Sequence, residues 1–165
     1  MMDYELTEEL RMLRETVHRF VDREIIPTER NAYAGHNLKP EERERLEAIA
    51  KEIGLWMFDV PEEYGGLGMG FLARCVVWEE MARTIAIPTR GGHIFGPPVS
   101  PILYSLNDEQ KERYLWPVLR GERVPCFAQT EPDAGGDPGG MRTTAAKDGN
   151  GYVINGYKRF ITGAD

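Results

Sequence analysis

The stretch Phe127-Ala128-Gln129-Thr130-Glu131-Pro132-Asp133-Ala134-Gly135-Gly136-Asp137-Pro138-Gly139-Gly140 divides the chain into two parts of different character. Four glycines and two prolines within nine residues exclude a regular helix or strand there. On composition alone the stretch reads either as a wide turn between strands, with glycines taking left-handed backbone, or as a loop whose exposed N–H groups meet a ligand. The residues themselves leave both open. It is not a P-loop, because Met141 stands where that motif needs Lys, and not a dinucleotide fingerprint, because it joins strand-like segments and opens no helix.

N-terminal to this stretch the pattern is helical. Leu6, Leu10, Leu13, Val17 and Phe20 step by four, three, four and three and line one face, with Pro27 ending the run. Pro40 suits a first helical position, Glu41 and Glu42 suit the positive end of the dipole, and Leu46, Ile49, Ala50 and Ile53 form a second stripe closed by Gly54. A third helix is expected from about Phe71 to Arg83. A fourth is expected to be capped by Asn107 with Gln110 three residues on and to run toward Gly121, distorted at Trp116-Pro117. From residue 123 on, before and after the loop, the pattern changes to strands. Val124–Gln129, Arg142–Lys147, Tyr152–Ile154 and Tyr157–Thr162 are expected strands, with Gly149-Asn150-Gly151 and Asn155-Gly156 as turns.

Charge changes at the same place. The 165 residues carry a formal charge of −7, and the whole excess falls in residues 1–122; residues 123–165 are neutral and hold eight of the 18 glycines. Helices first and strands after define an α+β chain: an all-α domain over 1–122, then the start of an antiparallel β domain over 123–165. A chain of this length can bury a core without disulfides or metal. An acidic chain without a basic cluster offers no footprint for nucleic acid or an anionic membrane surface. There is no run of 18 apolar residues, and Asp3 and Glu5 occupy the place where a secretory signal needs positive charge, so the expectation is a cytoplasmic protein without a membrane span. Cys75 and Cys126 have no Cys-x-x-Cys partner, and His18, His36 and His93 have no ligand spacing, so no metal is expected.

Other chemistry-bearing residues receive plain structural readings. Solvated helix ends or faces account for Glu62-Glu63 and Glu79-Glu80, and Glu131 is read as a turn or hydrogen-bonding residue. Trp56, Met57 and Phe58 are read as core. Cys126 is expected to be a buried strand thiol, and His93 a loop histidine.

Thr130-Glu131-Pro132-Asp133-Ala134-Gly135-Gly136-Asp137, followed by Asn155-Gly156-Tyr157-Lys158-Arg159-Phe160-Ile161-Thr162, resembles the paired flavin-binding motifs of the acyl-CoA dehydrogenases. Pro61-Glu62-Glu63-Tyr64-Gly65-Gly66-Leu67-Gly68 resembles a turn of that family's N-terminal domain, and Asn107–Leu115 also fits, so the resemblance covers essentially the whole chain. It implies a helical domain followed by the beginning of a middle β-barrel domain, with FAD lying between the β domain and a C-terminal helical bundle. By position, Phe127, Ala128, Gln129 and Thr130 would line the pyrimidine side of the flavin ring. Gly135 and Gly136 would lie beside the cofactor, Gly136 also facing the CoA-bearing substrate. Phe160 and Ile161 would cover the flavin face, with Thr162 near the reactive N5. Fixed donors along the ring edge stabilise a reduced flavin. By analogy His93 would approach the acyl cavity.

Two positions depart from the family pattern. Gly136 replaces the usual Ser, which leaves only a backbone N–H, and Phe160 replaces the usual Trp, which keeps an aromatic face and loses the indole N–H. The implied reaction converts an acyl-CoA to the trans-2-enoyl-CoA by α-proton abstraction and hydride transfer to FAD. An electron-transferring flavoprotein is the implied acceptor and a homo-oligomer the implied assembly. The implied base is a Glu of the C-terminal domain, outside this chain. The chain is therefore expected to be a fragment of a longer dehydrogenase, inactive alone. Acyl-CoA oxidase, nitroalkane oxidase, flavin monooxygenase and a non-catalytic binding module are the alternatives.

Overall fold

The computed structural model describes residues 5–34, 37–85 and 94–164. His36 and His93 lie outside the described residues. The chain divides into two compact units, Met1–Glu122 and Arg123–Asp165.

In the first unit, α1 (Glu8–Phe20) starts at Thr7, whose hydroxyl oxygen accepts the Leu10 N–H at 3.3 Å, and Glu8 and Glu9 stand at the positive end of its dipole. Its apolar stripe buries Leu13, Val17 and Phe20. A π turn follows at Val21–Ile25, then a short 3-10 turn at Ile26–Thr28. A second π turn, Lys111–Leu115, joins α4 (Asp108–Gln110) to α5 (Trp116–Leu119). Each π turn ends two residues before a proline, Pro27 or Pro117. A proline supplies no N–H to the helical ladder and its ring crowds the carbonyl four residues back; a wider turn relieves both. The chain thus continues through Trp116-Pro117 as a distorted helix. Its start carries the expected capping box: Asn107 Oδ1 accepts the Gln110 N–H at 2.9 Å and Gln110 Oε1 accepts the Asn107 N–H at 3.2 Å.

The helix α2 (Pro40–Glu52) buries Leu46 and Ala50. It ends in a Schellman motif: Gly54 is left-handed with φ +74°, its N–H reaches Lys51 O at 3.1 Å, and the Leu55 N–H reaches Ala50 O at 2.9 Å. Between α1 and α2, β1 (Tyr33–Ala34) pairs antiparallel with β2 (Asn37–Leu38), which the strand patterning did not foretell. The helix α3 (Gly70–Met81) packs against α1 and closes a core that includes Val17, Val21, Ile25, Leu46, Phe58, Val77, Met81 and Phe95. Of the triplet read as core, Phe58 is buried, whereas Trp56 and Met57 are half-buried.

The turn Pro61–Gly68 is tied back by Gly68 N–H to Val60 O (2.9 Å) and by Leu67 N–H to Met57 O (3.1 Å). At Gly66 any Cβ would overlap the Val60 carbonyl, so this position requires glycine. Glu62 and Glu63 are exposed, as read, but Glu80 is not: it is 8% exposed. His18 Nδ1 of α1 lies 2.8 Å from Glu80 Oε2, and Arg83 Nη1 donates to the same oxygen at 3.2 Å. Glu80 faces α1 and Glu79 faces solvent, a distinction that two adjacent carboxylates do not reveal in sequence.

Among its described residues the second unit forms one two-stranded hairpin. β3 (Thr144–Asp148) pairs antiparallel with β4 (Gly151–Asn155), from Thr144 opposite Asn155 to Asp148 opposite Gly151, across a turn in which Gly149 has φ +57°. Its residues are exposed on both faces. The expected strands at 124–129 and 157–162 form no ladder. A strand needs a neighbour running alongside, and the 157–162 segment instead reaches its neighbours through the Arg159 N–H on Thr130 O and through the Lys158 and Arg159 side chains, without a run of backbone pairs. Cys126 is correspondingly exposed and outside any strand.

Candidate flavin-facing site

The site is built from three short segments of the second unit that meet at Glu131. Its backbone N–H and carbonyl pair with Ala134 across Pro132-Asp133 (2.8 and 3.3 Å), a tight turn that buries both Glu131 and Ala134. The Glu131 carboxylate, 5% exposed, accepts the Arg142 N–H at 2.6 Å, the Thr143 N–H at 3.1 Å and the Lys158 Nζ at 2.8 Å. A buried carboxylate requires this kind of saturation. Lys158, and with it Thr143 and the Arg142 N–H, holds the Glu131 carboxyl at about 2 against an ordinary 4.5. Because the folded value is depressed, the stabilisation is complete above about 4.5 and is lost as pH falls toward 2. Amide protection at Arg142 and Thr143 is therefore expected to decline over that window; protection that stays level down to about pH 2 would count against the arrangement.

Lys158 Nζ also donates to Gln129 O at 3.0 Å. The neighbouring Arg159 N–H donates to Thr130 O at 3.0 Å, and its guanidinium donates to Pro132 O at 3.1 Å. The two motifs, some thirty residues apart in sequence, are thus brought together by consecutive residues, Lys158 and Arg159. The guanidinium of Arg159 lies 4.9 Å from the centre of the Phe160 ring, a cation–π contact. Phe160 has φ +58°, in the left-handed region that an aromatic residue rarely adopts. Phe160 is 79% exposed, and Phe127 is 78% exposed.

Gln129, Thr130 and Ile161 are half-buried, while Ala128, Gly135, Gly136 and Thr162 are exposed. None of Gly135, Gly136, Gly139 and Gly140 has positive φ, so the left-handed reading of this loop does not hold. Around Gly135 and Gly136 a Cβ would meet nothing within 4 Å. Neither backbone conformation nor crowding within the chain requires glycine there. Gly156 differs: a Cβ would stand 2.6 Å from Thr143 Cβ and Cγ2, so the hairpin backbone passes directly against Thr143. Sequence reading missed Lys158, Arg159 and the left-handed Phe160. The available signal was an acidic residue before proline in one motif and a lysine just after Asn155-Gly156-Tyr157 in the other.

The first unit offers a separate polar cavity lined by Asp59, Arg74, Pro97, Pro98 and Tyr104, among others. Arg74 Nε lies 3.6 Å from Asp59 Oδ2. Burial first, then Asp59 and Tyr64, pushes the Tyr104 hydroxyl up to about 12 from 10.0. The raised value favours the neutral phenol, so this contribution is intact below pH 10 and disappears as pH climbs through 12. An ultraviolet titration should show one tyrosine ionising late, absent in Tyr104→Phe; loss of no late component in that variant would remove the assignment. Among the described residues no group of three or more His, Cys, Asp and Glu could hold a metal ion, and no helix is long and apolar enough to cross a membrane.

A helical unit followed by a glycine-loop unit with a hairpin is the α+β arrangement expected from the sequence. Residues 7–122 match the model of the acyl-CoA dehydrogenase N-terminal domain, and residues 126–165 match that of the acyl-CoA dehydrogenase middle domain. The chain belongs to the acyl-CoA dehydrogenase family. Among curated relatives, the (R)-benzylsuccinyl-CoA dehydrogenase of Thauera aromatica is 36% identical over 99% of this chain and 43% of its own length. The 3-(aryl)acrylate reductase of Clostridium sporogenes is 36% identical over 96% of this chain and 41% of its own. Among solved structures, an acyl-CoA dehydrogenase complexed with FAD from Bacillus anthracis superposes with a TM-score of 0.67 at 33% identity, covering 98% of this chain and 28% of that one. The chain therefore spans about two fifths of the length of these curated relatives.

Proposed function

We propose that this chain supplies the N-terminal helical domain, 1–122, and the start of the middle β domain, 123–165, of a flavin-dependent acyl-CoA dehydrogenase. The observation that carries the reading is the meeting of the two motifs: Lys158 on Gln129 O and Arg159 on Thr130 O. The residues fit FAD by their chemistry. Open backbone at Gly135 and Gly136, the Thr130 hydroxyl and two exposed rings, Phe127 and Phe160, suit a flat heteroaromatic group with a polar edge. FAD, when bound, supplies a two-electron acceptor for oxidation of a CH–CH bond.

With FAD bound, Phe127, Ala128, Gln129 and Thr130 would hold the ring edge, and Phe160, Ile161 and Thr162 would cover a face and exclude water. Gly135 would lie along the cofactor, and Gly136 beside cofactor and acyl-CoA. The α-proton base is assigned to a carboxylate in the part of the family's length that this chain does not span. An electron-transferring flavoprotein is the proposed acceptor, and a homo-oligomer the proposed assembly. Anaerobic addition of acyl-CoA thioesters to the full-length flavoprotein is expected to bleach the flavin and yield the 2-enoyl-CoA. A flavoprotein that stays oxidised with every acyl-CoA tried would sink the dehydrogenase reading.

A further inference from the structure

We infer that Glu131 and Lys158 are positioning residues, a buried lock that sets the spacing between the Gln129-Thr130 segment and the Phe160-Thr162 segment. The inference deepens the flavin reading above and rests on it. Neither side chain is assigned a contact with the cofactor; both act through their neighbours. Glu131 directly follows Thr130, and its carboxylate fixes the hairpin segment through the Arg142 and Thr143 N–H groups. Lys158 lies two residues before Phe160, and its ammonium spans Glu131 Oε1 and Gln129 O. One salt bridge therefore ties three segments, and both candidate contact stretches hang from its ends.

The pair is protected from screening. Side-chain exposure is 24% for Lys158 and 5% for Glu131, so the interaction is not that of a solvated surface pair. Removing Lys158 leaves the buried Glu131 carboxylate without its counterion, which costs more than the loss of a surface bridge. The flanking geometry follows from the same tie. With Lys158 held, the Arg159 N–H reaches Thr130 O and its guanidinium sits over the Phe160 ring, whose left-handed backbone places that ring in the open.

The test titrates FAD into the full-length protein and into its Glu131→Gln, Lys158→Met, Lys158→Arg and double Glu131→Gln/Lys158→Met variants. Segment-resolved hydrogen exchange is followed on each. Lys158→Met and Glu131→Gln are each expected to weaken FAD binding by about tenfold to a hundredfold. The double variant should lose little more than the worse single one, since both remove one interaction. Lys158→Arg should recover most of the affinity and the bound-flavin absorption shape, which a lysine needed only for bulk would not predict. Exchange in α1 to α3 should stay unchanged throughout. FAD affinity in Lys158→Met equal to that of the unaltered full-length protein would overturn the lock. If the unaltered full-length protein binds no FAD, the flavin reading fails by itself, and exchange then decides the lock: protection of the Arg142 and Thr143 amides retained in Glu131→Gln overturns it, and its loss supports it.

Discussion

Replacing Gly156 by alanine is expected to pull the hairpin off Thr143 and to dismantle the candidate site. The added Cβ would lie 2.6 Å from two Thr143 carbons, well inside van der Waals contact, and the obstacle is the root of a β-branched side chain whose χ1 has little freedom. The Gly156 backbone must therefore move. Overpacking of this kind costs about 1–3 kcal/mol, and more where backbone is involved. The movement is not absorbed locally, because the Thr143 N–H is one of the donors on the Glu131 carboxylate. Displacing Thr143 loosens Glu131, then Lys158, then the Gln129 and Thr130 carbonyls. Hydrogen exchange should rise at 129–131 and 142–143 while the helices keep their protection. Adding Thr143→Gly removes the obstructing atoms, and the pair Gly156→Ala/Thr143→Gly should regain part of the protection. Full protection in Gly156→Ala alone would mean that the close approach does not govern the site.

The second large effect belongs to the helical unit. Leu46 is wholly buried on α2, within the core that α1 and α3 share. Leu46→Ala is expected to destabilise that unit by about 2–5 kcal/mol, the lost transfer free energy plus the cavity that the neighbours only partly fill. Two residues earlier on the same helix Glu44 is exposed, and Glu44→Ala should change stability by no more than about 0.5 kcal/mol. Denaturant unfolding of both variants checks the pair. A Leu46→Ala loss no larger than the Glu44→Ala loss would contradict the placement of α2 against the core.

The helical unit was legible because its determinants are local. Apolar steps of three and four named the buried faces of α1 and α2, Asn107 with Gln110 named a cap, Pro27 marked the end of the first run and Trp116-Pro117 a distortion. What proline does there, widening the preceding turn rather than breaking the chain's course, depends on neighbours that hold the turn in place. The strands at 124–129 and 157–162 were over-read for the opposite reason. Alternation and turn residues describe a segment's readiness to pair, and pairing itself depends on a distant partner. The hairpin of β3 and β4 formed as read because its partners are adjacent in sequence.

The candidate site was legible as a pair of motifs and illegible as a mechanism of assembly. Thr130, Gly135 and Phe160 were visible as unusual residues. That Glu131 would be buried, that Lys158 would reach across to it, and that Phe160 would adopt a left-handed backbone are properties of segments meeting, as is the burial of Glu80 under His18 and Arg83.

The central claim is that Gln129-Thr130 and Phe160-Thr162 are held together to face a flavin. A crystal structure of the full-length protein grown with FAD tests it most directly. The polar edge of the ring is expected along residues 127–130, with Thr162 beside N5, Phe160 over a face, and Lys158 bridging Glu131 and Gln129 beneath. A flavin seated elsewhere, or bound with Lys158 turned away from Glu131, would contradict it.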